Sequence, residues 1–350
     1  MLLSAKRTII ATCAVVACVI LIVFNRLYLT FAPSNSSLEE EWSRLKPYWT
    51  TEQEEPRFAY VQYATDLDYL CNAMMNFVRL DRLATRFDQV LIHPKDWEEP
   101  GTSREQIALS RIRQHYPHVR LRPVEVLSTS SGDPTWHKSL TKFHAFALTE
   151  YTRVLVFDSD SLVLNNMDHY FLSPLAPVAV PRAYWLNDAD SSIKDQILGS
   201  HVMLVEPNKS TFERIIEEAR SSGAFDMEVL NRLFADSAMI LPHRRFALLT
   251  GEFRTKDHSR YLSEDKDAEW NAMAEVSRAY LVHFSDWPLP KPWLPHSQSQ
   301  WEAALPECGD GEEYAERPDR PKCADRFMWT GFYEDYHRGQ KEICTPLVDS

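Results

Sequence analysis

The sequence predicts an α/β fold with a mainly parallel central sheet, and three observations carry that prediction. Segments rich in β-branched and aromatic residues alternate with segments of helical periodicity, the pattern of strands joined by crossover helices. The run RVLVFDSDSLVLNNMDHYF, Arg153 to Phe171, ends an apolar strand in two aspartates, Asp158 and Asp160. Ligands of parallel sheets gather beyond the carboxyl ends of the strands. The third observation is Thr8 to Phe24, apolar throughout and uncharged, which sets the globular part well inside the chain.

Taken in order, residues 1–7 form a short tail whose Lys6 and Arg7 precede the apolar run. At 1.5 Å per helical residue Thr8–Phe24 is about 25 Å long, short but sufficient for a thin bilayer. The positive flank sets the tail in the cytoplasm, and no small-x-small cleavage site follows, which favours an uncleaved signal anchor over 8–31. The expectation is a single-pass type II membrane protein of the Golgi, attached through this N-terminal helix, with everything after it lumenal. Residues 32–56 are polar and acidic and read as a stem.

The globular part, 57–350, opens with RFAYVQYAT as a strand. DLDYLCNAMMNFVRL follows as a helix with Leu70, Ala73, Met74, Phe77 and Val78 at helical spacing. FDQVLIHP is a second strand, SREQIALSRIRQHYP a helix stopped by Pro117, and VRLRPVEVL a third strand. SLTKFHAFALTEY reads as a helix before the strand RVLVFD, and SHVMLVEP as a later strand. STFERIIEEARSSG has a capping box of Ser210 and Glu213, an apolar face and a stop at Gly223.

The formal net charge is −12, which argues against nucleic acid as a partner. A lumenal location makes Asn35-Ser36-Ser37 and Asn208-Lys209-Ser210 candidate glycan sites. It also makes Cys71, Cys308, Cys323 and Cys344 candidates for disulfides. Four cysteines allow three pairings, and the spacing does not choose among them.

Carboxylates are costly to bury unless they are paired or bind a metal. An Asp-x-Asp at a strand end can hold a divalent cation through oxygen ligands, with phosphate oxygens completing the shell. AYLVHFSDWPLPKPW, Ala279 to Trp293, has the same layout: an apolar strand, His283, then a proline-stiffened loop carrying Lys291 and Trp293. Histidine adds a nitrogen ligand, which suits Mn²⁺ better than Mg²⁺. Lys291 is a point charge suited to a diphosphate, while Trp185, Trp287 and Trp293 either stack on sugars or fill core. Asp158, Asp160 and His283 are expected to converge on one ion position.

KFHAFALTEYTRVLVFDSDSLVLNNMDHYF together with HFSDWPLPKPW resembles the family 8 glycosyltransferases, the glycogenin-like group. Within that family, FDMEVLNRLFADSAMILPHRRFALLTGEF and the Cys-bearing tail resemble the fungal Golgi N-acetylglucosaminyltransferases. The resemblance runs from Phe58 to Trp293. It implies a single GT-A domain (Rossmann-like, of the nucleotide-diphospho-sugar transferase type) over 57–350. By the same resemblance, Asp158, Asp160 and His283 bind Mn²⁺, and Lys291 meets the diphosphate of a UDP-sugar. Tyr69 stacks on uracil with Thr65 nearby, Lys142 lies by the phosphates or donor sugar, and Asp226 contacts the donor sugar. Met227 stands where the family has Gln, and Gly199 and His201 fall where it often has Asn-Ser-Gly; both departures are on the sugar side.

The expected activity is retaining transfer of N-acetylglucosamine from UDP-GlcNAc to a mannose-terminated glycan. The alternatives are another UDP-sugar donor, such as galactose or glucose, and a catalytically inactive membrane-tethered lectin. A metal-dependent phosphoesterase fits less well, since two-metal hydrolysis needs more clustered carboxylates and histidines.

Overall fold

The computed structural model describes residues 57–99, 101–130, 137–188, 191–192, 195–265, 267–308 and 323–348. The chain divides into two units, Met1–Pro56 and Arg57–Ser350. The expected anchor over 8–31, the stem and the Asn35 sequon lie outside the described residues. Among the described residues no helix is long and apolar enough to cross a membrane.

The second unit begins with β1 (Phe58–Tyr63), buried along its whole length. Helix α1 (Leu67–Arg82) follows, with the Asp66 carboxylate accepting the Tyr69 N–H at its start. Leu70, Ala73, Met74 and Phe77 form its buried face, as their spacing predicts, whereas Val78 lies at its margin. Asn76 is buried among them, and its amide bonds the Ser161 carbonyl and the Val163 N–H, so a polar residue on the apolar face is fully used.

Next come β2 (Asp88–Pro94), α2 (Arg104–His115) with its Ser103–Gln106 capping box, and β3 (Val119–Val124). β3 is an edge strand, and so tolerates Pro123, which cannot donate to a ladder.

Ser139–Ala147 is a 3₁₀ segment, where the sequence predicts an α-helix. Seven of its nine residues are buried, on all sides, so the one-sided stripe that favours an α-helix has no advantage here. Thr141 fixes the segment by bonding both backbone groups of Leu127 through its hydroxyl.

β4 (Arg153–Phe157), β5 (Ser161–Val163), β6 (Val178–Pro181) and β7 (Val202–Val205) lead to α3 (Lys209–Ser222). The cap of α3 is Asn208, two residues before the predicted Ser210; its Oδ1 accepts the Thr211 N–H at 3.1 Å and the Ser210 hydroxyl at 2.7 Å. Asparagine is as good an N-cap as serine, so the earlier one starts the helix. Gly223 ends it at φ 64°, where a side chain would be strained.

The chain goes on through α4 (Asp226–Phe234), β8 (Met239–Leu241), β9 (Leu248–Leu249), α5 (Ala272–Arg278), β10 (Leu281–His283), α6 (Gln298–Ala304) and α7 (Ala324–Gly339), with shorter helical turns between and after them.

Seven strands form the main sheet in the order β3-β2-β1-β4-β7-β6-β8. Pairing is parallel from β3 to β4 and between β6 and β8; β7 alone runs against its neighbours β4 and β6. A second sheet, β5-β10-β9, sets β10 antiparallel to β5. Disulfides join Cys71 to Cys344 and Cys308 to Cys323. The first ties α1 to the C-terminal segment. There α7 also reaches back to α1, through Tyr336 to Asn72 at 2.8 Å and Asp335 to Arg79.

Candidate active site

Sheet direction builds the site. β1 and β4 are parallel, so their carboxyl ends share one edge. Because β7 is reversed, with Phe157 paired to Val202, the residues before β7 arrive at that edge too. Asp158 accordingly donates its N–H to the His201 carbonyl at 2.8 Å. The second sheet supplies the last component: His283 pairs with Ser161, and the Phe284 N–H reaches the Asp160 carbonyl at 3.0 Å. The two short strands therefore hold His283 beside Asp160 across a large sequence separation.

Asp158, Asp160 and His283 converge, each offering one ligand atom within 4.8 Å of the others. Asp160 lies 3.0 Å from His283 Nε2 and 2.7 Å from Lys291 Nζ through its two oxygens. Burial opposes its ionisation, but His283 and Lys291 outweigh burial and hold the carboxyl well below the usual carboxylate range. At Asp158 burial wins and pushes the carboxyl up to about 6, although Lys142 pulls the other way. Two carboxylate oxygens and an imidazole nitrogen at this spacing form a donor set that fits a divalent ion such as Mn²⁺.

Lys142 is 1% exposed. Its Nζ lies 2.5 Å from Asp158 and 2.7 Å from Asp226. Burial alone would lower its pKa, yet the two carboxylates raise it above the ordinary lysine value, so the group is a fixed cation and not a proton donor. Asp226 is the first residue of α4, after Phe225 at the N-cap. Its oxygens take Lys142 and the hydroxyls of Ser139 and Ser200, both at 2.6 Å. These partners overcome its burial and hold it ionised.

All these groups border one cavity of about 480 Å³, within the range of small-ligand sites. Tyr69 and Lys291 border it as well. Tyr69 meets Trp293 edge-on at 5.4 Å, and Trp293 also packs on Tyr336 at 6.3 Å, so this tryptophan anchors its loop. Thr65 is not among the lining residues; its carbonyl accepts Lys138 at 3.4 Å.

Several further residues line the cavity, and of these only His201 was singled out in the sequence. Tyr63 donates to Asp158 at 3.3 Å, and Ser200 belongs to a segment whose place depends on the reversal of β7. His201 is a buried imidazole pushed down to about 3 by burial, its Nε2 3.1 Å from the Phe246 carbonyl. Asp286 is buried and takes Trp329 Nε1 at 2.9 Å and the Tyr333 hydroxyl at 2.8 Å, which fixes the proline loop to α7. The nearest clue to Asp286 was its place within HFSDWPLPKPW.

A pH dependence follows from Asp158. Its folded value of about 6 lies above that of an unfolded aspartate, about 3.9. Without metal, this group's contribution to stability therefore grows as pH falls through 6 toward the unfolded value. A divalent ion needs the ionised form, so protons compete with it. Mn²⁺ should raise the melting temperature at about pH 7.5, and the gain should shrink below about pH 6. An equal gain at both ends of that range in thermal-shift measurements would rule out Asp158 as a ligand.

No family model matches the chain. It is 44% identical over 294 residues to glucose N-acetyltransferase 1 of Gibberella zeae, covering 82% of this chain and 62% of that protein. To glucose N-acetyltransferase 1 of Aspergillus fumigatus it is 39% identical over 314 residues, covering 83% of this chain and 78% of that protein. The chain thus spans less than two thirds of the first relative and more than three quarters of the second. Among solved structures, the galactosyltransferase LgtC in complex with donor and acceptor sugar analogues superposes with TM-score 0.51 at 13% identity. That match covers 70% of this chain and 95% of LgtC. The fold is therefore that of a GT-A-like glycosyltransferase.

Proposed function

The chain belongs to the glucose N-acetyltransferase 1 family, and from that premise we propose that it transfers N-acetylglucosamine from UDP-GlcNAc to a mannose-terminated glycan with retention of configuration. The observation that carries the reading is the convergence of Asp158, Asp160 and His283 on one ion-sized position beside Lys291. An inactive lectin would have no use for a lysine set beside that ion position to meet a departing diphosphate.

Mn²⁺ held by these three residues would supply the charge that neutralises the departing diphosphate. The chain's own groups do the rest. Lys291, on its stiff loop, is placed to exchange its contact with Asp160 for the diphosphate. Lys142 holds Asp158 and Asp226 at fixed separation, which keeps the electrostatic frame from reorganising during reaction. Asp226 has both oxygens engaged and is ionised, so it serves as a hydrogen-bond acceptor for a donor-sugar hydroxyl and is a poor covalent nucleophile. This supports front-side transfer through an oxocarbenium-like state, with the leaving phosphate taking the acceptor proton. The apolar run Thr8–Phe24 and its basic flank support a Golgi membrane anchor over 8–31 with the catalytic unit lumenal.

Incubating the lumenal unit with Mn²⁺, a panel of UDP-sugars and mannose-terminated oligosaccharides should give transfer from UDP-GlcNAc that EDTA abolishes. Transfer from UDP-galactose or UDP-glucose instead would move the donor assignment. Turnover undiminished in EDTA would remove the metal from the reading.

A further inference from the structure

Trp287 is 90% exposed and borders the catalytic cavity. Its neighbours in the chain are tightly held. Asp286 is buried on Trp329 and Tyr333, and its carbonyl accepts Arg254 at 2.8 Å. Leu289 is buried and donates its N–H to the Asp286 carbonyl at 2.9 Å. Pro288 and Pro290 flank Leu289, and proline restricts the chain further. The indole therefore stands on a rigid base, and no other aromatic ring packs on it among the described residues. Two more apolar side chains border the same cavity while open to solvent, Leu186 at 48% and Leu294 at 40% exposure. The charged groups, Asp158, Asp160, Asp226, Lys142 and Lys291, lie within the cavity and are largely paired with one another.

We infer that Trp287 is the platform of an acceptor subsite, stacking on the C–H face of a neutral pyranose ring of the acceptor glycan as it enters the cavity. This rests on the transferase reading above. An indole offers a large, rigid apolar face at low entropic cost, and a pyranose covers that face while its hydroxyls stay in water. Continuity with the cavity selects the acceptor over an unrelated partner. The cavity beneath is lined by four carboxylates, Asp158, Asp160, Asp226 and Asp286, which selects a neutral glycan over a phosphorylated one.

The test uses the protein with Mn²⁺, UDP-GlcNAc and mannotriose, and follows transfer and donor hydrolysis together in wild type, Trp287→Ala and Trp287→Phe. At fixed mannotriose, Trp287→Ala should lower the ratio of transfer to hydrolysis about tenfold, the equivalent of about 1.4 kcal/mol. Saturating acceptor should restore the ratio, and Trp287→Phe should recover most of it. An unchanged ratio, or equal loss of both reactions, overturns the platform. Saturation-transfer NMR of mannotriose on the UDP-loaded protein reads the same contact without turnover: signal in wild type and none in Trp287→Ala supports it, and equal signals overturn it. Wild type that turns over no UDP-GlcNAc would remove the donor assignment alone, leaving the platform to be decided by that spectrum.

Discussion

Asp160→Asn should abolish transfer, lowering turnover by about 10³-fold or more, since a catalytic metal supplies several kcal/mol of transition-state charge stabilisation. Asparagine keeps the shape and one acceptor for Lys291 but loses the charge that both Lys291 and His283 answer. Mn²⁺-dependent UDP binding should fall with activity, measured by titration calorimetry in the presence and absence of EDTA. Melting should shift far less than activity, because Lys291 is partly exposed and water can replace the lost partner. A variant that retained metal-dependent nucleotide binding would show that Asp158 and His283 suffice, and that Asp160 serves only to hold the lysine.

Lys142→Met should have the largest effect on stability. Removing one member of a buried ion pair costs about 3–5 kcal/mol because the other charge is left uncompensated. Here two carboxylates, Asp158 and Asp226, would face each other with no cation between them. A domain of this size should lose on the order of 10 °C in melting temperature. The pH sign is fixed by the same geometry: without Lys142 the Asp158 carboxyl is raised further, and protonation relieves the repulsion. The deficit against wild type should therefore narrow as pH falls. Adding Asp226→Asn to Lys142→Met should recover part of the loss, since the two sites share one interaction. Equal melting of Lys142→Met and wild type at neutral pH would mean that the lysine is not held between the carboxylates in solution.

The parallel half of the sheet was legible because β1, β2 and β4 are apolar runs separated by periodic helices, with Asp158 and Asp160 just past a strand end. The reversal of β7 was not. Val202–Val205 reads the same in either direction, so nothing in VMLV told that Ser200 and His201 would stand beside Asp158. Strands of three residues leave no usable period, so the pairing of β10 with β5 was not legible, although the shared strand-end layout already pointed Asp160 and His283 to one ion position. Lys142 was legible as a residue of interest but not as the ion-pair partner of Asp226, since that contact joins segments far apart in sequence. Thr65, which the resemblance sets near Tyr69, is not among the residues that line the cavity.

The position of α7 bears on how the molecule is made. Tyr336 bonds to Asn72, 264 residues earlier, and Asp335 pairs with Arg79, 256 residues earlier. Trp329 and Tyr333 of the same helix secure Asp286 beneath the indole of Trp287. At synthesis rates of about 5–20 residues per second, the nascent chain carries α1 for roughly ten to fifty seconds before its cover emerges. Through that interval Asn72 and Arg79 lack these partners, and the surface they occupy is open to chaperones and to neighbouring chains. Ribosomes stalled before α7 would thus release a chain with both an unshielded surface and an unsupported active-site loop, and quality control would meet both defects at once.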